Sequence, residues 1–129
     1  MSAQYTQEEC QKMFLEALAA NCRYWTNLEL TDDTPGIDFS TEAARTKWKV
    51  EGLAFSVLNL LDGGAGMMPA FEVYPAPHES DKAYHQDEGS NYWPGPPEKC
   101  LDAEGNEIPT IHGGDMLHEL WHKYVPKDK

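Results

Sequence analysis

The chain has 129 residues, 40% of them hydrophobic, which predicts a single domain spanning 1–129 with its own apolar core. Its formal net charge is −12, which argues against direct nucleic-acid binding because phosphates need a basic face. With no apolar run of about 18 residues and no signal-peptide pattern, neither a membrane span nor secretion is indicated, and a cytoplasmic location is expected.

The first element is predicted from Thr6. Thr6 and Glu9 spell a capping box. Cys10, Met13, Phe14, Ala17, Leu18, Asn21, Cys22 and Trp25 then follow helical spacing, while Glu8, Glu9, Gln11, Lys12 and Glu16 fall largely off that stripe. Cys10 and Cys22 would lie about 18 Å apart on one helix at 1.5 Å per residue, too far to pair. With Cys100 the count is odd, and buried free thiols in a reducing compartment are expected.

Residues 26–40 read as a loop, with Thr31, Asp32, Asp33, Thr34, Pro35 and Gly36 as turn residues. Ser40 or Thr41 caps a second helix running to about Asp62. Its first half is charged, through Glu42, Arg45, Lys47, Lys49 and Glu51. Its second half, Leu53 to Leu61, is apolar nearly all round, which predicts burial on most sides and a central position. Gly63 and Gly64 supply the stop.

Pro69, Pro75 and Pro77 bracket Ala70 to Tyr74, a short extended segment fit for an edge strand at most. His78 to Gly89 predicts a third helix, with Ser80 near its start and Gly89 as its stop. Asn91 to Pro97 is a turn-rich aromatic segment. It reads either as a docking surface built on Tyr92 and Trp93 or as a loop laying Trp93 over the core. Lys99–Leu101 and Glu107–Ile111 flank Asp102 to Asn106 as the arms of a small hairpin, with Gly105 supplying positive φ.

The chain ends in the one stretch that spells a known chemical device. His118-Glu119-Leu120-Trp121-His122 is H-E-x-x-H, which on a helix sets two imidazoles one turn apart beside a carboxylate. In a zinc-dependent hydrolase, His118 and His122 would ligate the metal and Glu119 would act as general base. The third ligand would come from upstream: His112 first, with Asp115, His78 and His85 as the other choices. Downstream only Asp128 is available, between two lysines. The bland reading is an amphipathic terminal helix of roughly ten residues, capped by Asp115, striped by Leu117, Leu120, Trp121 and Tyr124, and ended by Pro126. Its position favours that reading, because the motif occupies the first turns and little chain remains to build a substrate cleft. No dinucleotide loop, phosphate loop, C-x-x-C or G-x-S-x-G accompanies it.

The run Glu51-Gly52-Leu53-Ala54-Phe55-Ser56-Val57-Leu58-Asn59-Leu60-Leu61-Asp62-Gly63-Gly64 is followed by Pro69-Ala70-Phe71 and by Pro77-His78 with Asp81, Tyr84, Gly89 and Trp93. With the terminal Leu117-His118-Glu119-Leu120, it resembles a group of small proteins from bacteria and their phages. The resemblance covers most of the chain from about residue 40. It implies a cytoplasmic, phage-linked setting, and it carries over no activity and no functional residues.

The expected fold is α+β and helix-dominated: two long paired helices, a short terminal helix across them, and a small hairpin or edge sheet. The acids are uneven, with eight acids against two bases in 78–107. The leading functional expectation is a small acidic, non-enzymatic binding protein acting on a protein partner with a basic surface, as a phage-encoded inhibitor, accessory or nucleic-acid mimic. Its expected contact residues are Tyr92, Trp93, Glu79, Asp81, Asp87 and Glu88, aromatics in a charged surround. Two alternatives stand beside it: the zinc hydrolase, and a small-molecule sequestering protein with an apolar pocket. A homodimer is compatible with all three.

Overall fold

The computed structural model describes residues 4–31, 36–66, 68–95, 100–112 and 116–127. Among them lie four α-helices: α1 (Gln7–Asn27), α2 (Glu42–Leu61), α3 (Glu79–Asp87) and α4 (Leu117–Leu120), the last continued by a 3₁₀ turn at Trp121–Lys123. The chain divides into two compact units, Met1–Phe71 with Pro109–Lys129, and Glu72–Ile108.

In the first unit, α1 opens as its sequence spells. The Thr6 hydroxyl accepts from Glu9 N, and the Glu9 carboxylate accepts from Thr6 N. The helix buries Gln11, Phe14, Leu15 and Ala19. Every position of the predicted stripe is buried or half-buried, but burial reaches further round the helix, to Leu15, Ala19 and the amide Gln11, which was expected off the stripe. Gln11 tolerates burial because its Nε2 donates to the Ile111 carbonyl at 3.1 Å. One turn earlier, Gln7 Nε2 donates to Thr110 Oγ1 at 2.9 Å and also to the His112 carbonyl. Two glutamines on α1 thus hold 110–112 along the helix.

The second helix is capped by Thr41, whose hydroxyl accepts from Ala44 N. It ends in a Schellman motif: Gly63 has φ +86°, its N–H donates to Leu60 O, and Gly64 N donates to Asn59 O. The α1 and α2 helices pair. Trp25 Nε1 donates to Ser56 Oγ at 2.8 Å, and the Trp25 ring sits where a Cβ on Gly52 would stand, 2.3 Å from it. Phe14, Leu15, Leu60 and Ile111 form the buried cluster, joined by Phe71, Leu117, Leu120, Trp121 and Tyr124 at its margin. Phe14 and Phe71 meet edge to face at 5.5 Å.

The second unit carries α3 and a loop closed by one antiparallel bridge, Leu101 to Glu107. The His78 side chain caps α3, accepting from Ser80 N. The helix stops as α2 does, with Gly89 at φ +72° and Ser90 N donating to His85 O.

Three expectations are corrected. The fold is helix-dominated rather than α+β, with no strand or sheet among the described residues. In place of a hairpin ladder, the Asp102 carboxylate takes the N–H groups of Glu104 and Asn106, so a side chain holds the turn. Pro109 brings no N–H to extend pairing beyond Ile108, and Lys99 lies outside the described residues. Ala70–Tyr74 forms no strand; Phe71 N donates to Leu61 O at the end of α2, and the flanking prolines leave few donors for a ladder. The second half of α2 is not buried on most sides. Leu60 alone is fully buried, because one partner helix covers only one face.

Candidate functional site

In the second unit, α3 buries none of its residues. Its sequence spacing builds a specific face. Asp81 precedes Tyr84 by three positions, while Asp87 and Glu88 follow it by three and four, so all three carboxylates share the face of the phenol. Tyr84 is 61% exposed, and the three acids are exposed around it. Glu79 stands apart in the first turn, where it complements the helix N-terminus.

Lys82 is about 200° around the helix from Tyr84. Its ammonium lies 5.7 Å from the centroid of the Tyr92 ring, a cation–π contact that occupies one side of that ring. Trp93 is 67% exposed. The two expected aromatic anchors therefore differ: Tyr92 leans on Lys82, and Trp93 faces solvent. Tyr84 was not among the expected contact residues, although its flanking acids at i−3, i+3 and i+4 were readable as a helix face.

Elsewhere in this unit, Tyr74 Oη and Cys100 Sγ are 3.0 Å apart. That hydrogen bond is the main cause holding the Tyr74 phenol above its ordinary pKa, with partial desolvation and the negative charges at Cys100 and Glu72 adding to it. All three cysteines are free and half-buried. Burial pushes Cys10 and Cys22 up, Glu9 adding to the effect at Cys10, so neither thiol is activated as a nucleophile.

The H-E-x-x-H segment is divided between two kinds of helix. His118 and Glu119 stand on α4, which is four residues long, and His122 falls in the 3₁₀ turn. The expected helix of roughly ten residues is not formed. In a 3₁₀ turn each residue advances about 120° rather than 100°, so His122 rotates away from the position one α-turn after His118. His122 Nδ1 is 2.7 Å from the Glu119 carbonyl, to which it donates, leaving Nε2 as the ring's lone pair. His112 is exposed, and its carbonyl receives Gln7 and Thr110. Among the described residues no three His, Cys, Asp or Glu side chains converge as a metal would need. The expected cap Asp115 and the downstream Asp128 lie outside the described residues. Leu117, Leu120, Trp121 and Tyr124 turn to the core, which fixes how the histidines stand.

The first unit also has an open cleft of about 790 Å³ where the end of α1 and the chain after it meet the first half of α2. Glu29, Glu42, Arg45 and Lys49 are among its lining residues. Both cations are already engaged: Arg45 donates to the Phe39 carbonyl and Lys49 to the Thr26 carbonyl. A charged, wide-open cleft of this kind is not the apolar pocket expected of a sequestering protein.

No protein-family model, curated protein or solved structure matches the chain. None of the described helices is long and apolar enough to cross a membrane.

Proposed function

We propose that this protein is a non-enzymatic binding protein that engages a basic protein partner through the acidic and aromatic face of α3, with the exposed Trp93 as a second contact. One observation carries the reading: Tyr84 stands exposed on a helix that buries none of its residues, with Asp81, Asp87 and Glu88 on the same face. An exposed aromatic ringed by carboxylates suits a guanidinium or ammonium group, which the ring attracts by its face and the carboxylates by charge. Trp93, 67% exposed in the same unit, is a second aromatic anchor, and tyrosine, tryptophan and arginine are the residue types that most often dominate the energy of protein interfaces. The free thiols fit a reducing, cytoplasmic setting.

The test is a titration with an arginine-rich peptide, followed by indole fluorescence and by calorimetry. The expected result is saturable binding that is lost in the Asp81→Lys, Asp87→Lys, Glu88→Lys triple variant and weakened in Tyr84→Ala. Binding that ignores all four positions removes the reading.

A further inference from the structure

On the outer side of α2, away from α1, three large apolar side chains face solvent: Val50 is 62% exposed, Phe55 69% and Leu58 61%. Ala54 is exposed among them, and the four positions recur at helical spacing along one face. Lys47 and Glu51 project from the same face by the same spacing, and they cancel in place as an ion pair, Lys47 Nζ to Glu51 Oε2 at 2.7 Å. Residues 41–62 as a whole hold three acids and three bases. The acid excess of the chain lies instead in 1–40, at Glu72 and in 78–107.

We infer that this face of α2 binds a second copy of the chain, helix against helix and antiparallel, as a reversible homodimer. Two copies that each carry −12 repel wherever acidic segments meet. The face of α2, neutral and apolar apart from that ion pair, lets them approach without that penalty, and a two-fold contact uses the same patch twice. Charge sets the direction. A parallel pair would set the two ion pairs like against like, Lys47 beside Lys47 of the other copy and Glu51 beside its Glu51. An antiparallel pair crossing at Ala54 brings the Lys47 end of each helix to the Asp62 end of the other and sets Val50 opposite Leu58. It also opposes the two helix dipoles. Ala54 at the crossing allows close approach of the backbones. A helix of this length presents a face about 30 Å long. It covers less than the roughly 800 Å² per partner of a standard stable interface, so the dimer dissociates on dilution.

Sedimentation velocity of the full chain, from about 1 to about 200 µM, tests this. The expected result is a concentration-dependent shift from monomer to dimer. Phe55→Glu and Leu58→Glu should remove the shift while the far-ultraviolet circular dichroism stays unchanged, since both side chains are exposed. Lys47→Asp should weaken the dimer, and adding Asp62→Lys should restore it, as only an antiparallel pair allows. A chain that stays monomeric throughout overturns the inference. So does a dimer that survives Leu58→Glu, because it then uses another surface.

Discussion

Gly52 shows how a single atom decides the packing of the two long helices. A glycine inside a helix normally costs about 1 kcal/mol relative to alanine. Here a Cβ would stand 2.3 Å from the Trp25 ring. The ring cannot simply slide aside, because its Nε1 is held by Ser56. Overpacking of this kind costs about 1–3 kcal/mol and leaves a net loss after the helix gain. Gly52→Ala is therefore expected to lower stability by about 1 kcal/mol in urea unfolding followed at the indole. A variant as stable as the parent, or more stable, would show that Trp25 is not fixed against α2. Gln11 makes a related point at one residue: it is buried because its amide answers the Ile111 carbonyl, and no periodicity could have revealed that partner.

Helix ends were legible in the sequence, and helix faces only in part. Thr6 with Glu9, Gly63 with Gly64, and Gly89 act locally, so a few neighbouring residues suffice to read them. Which side of α1 is buried depends on what packs against it, and 110–112 returns from a hundred residues away. The hairpin and edge strand failed for the same reason: alternation predicts a strand, but a ladder needs a partner that the prolines and the Asp102 turn do not allow. At the candidate site, the acids and Trp93 were readable from composition, while the importance of Tyr84 required placing it on a helix. The terminal segment separates chemistry from packing. Trp121 lies against the core and His118 is exposed. Trp121→Ala is expected to cost about 2 kcal/mol, below the fully buried range because the ring is half-buried. His118→Ala should stay within about 0.5 kcal/mol of the parent. Thermal unfolding of the two variants checks both. A large loss in His118→Ala would mean that the imidazole has a structural role its exposure does not suggest.

Across the whole molecule, the distribution of charge gives the two proposed surfaces opposite responses to salt. The α3 face attracts its partner through carboxylates. Each exposed charge pair is worth about 0.3–0.5 kcal/mol, so three of them together contribute on the order of 1–1.5 kcal/mol, about tenfold in affinity. The α2 face is neutral, but the two copies it joins repel through their remaining acids. Raising sodium chloride from about 0.1 M to about 1 M shortens the screening length from about 10 Å to about 3 Å. Peptide binding should then weaken by about tenfold, since the attraction it depends on is screened. Self-association should hold or strengthen over the same range, because screening removes repulsion and leaves the apolar contact of Val50, Phe55 and Leu58 intact. Running the peptide titration and the sedimentation series in the same two buffers separates the surfaces. If both associations weaken together, the dimer is held by charge and not by the apolar face of α2. If neither responds, the carboxylates around Tyr84 are not what the peptide meets.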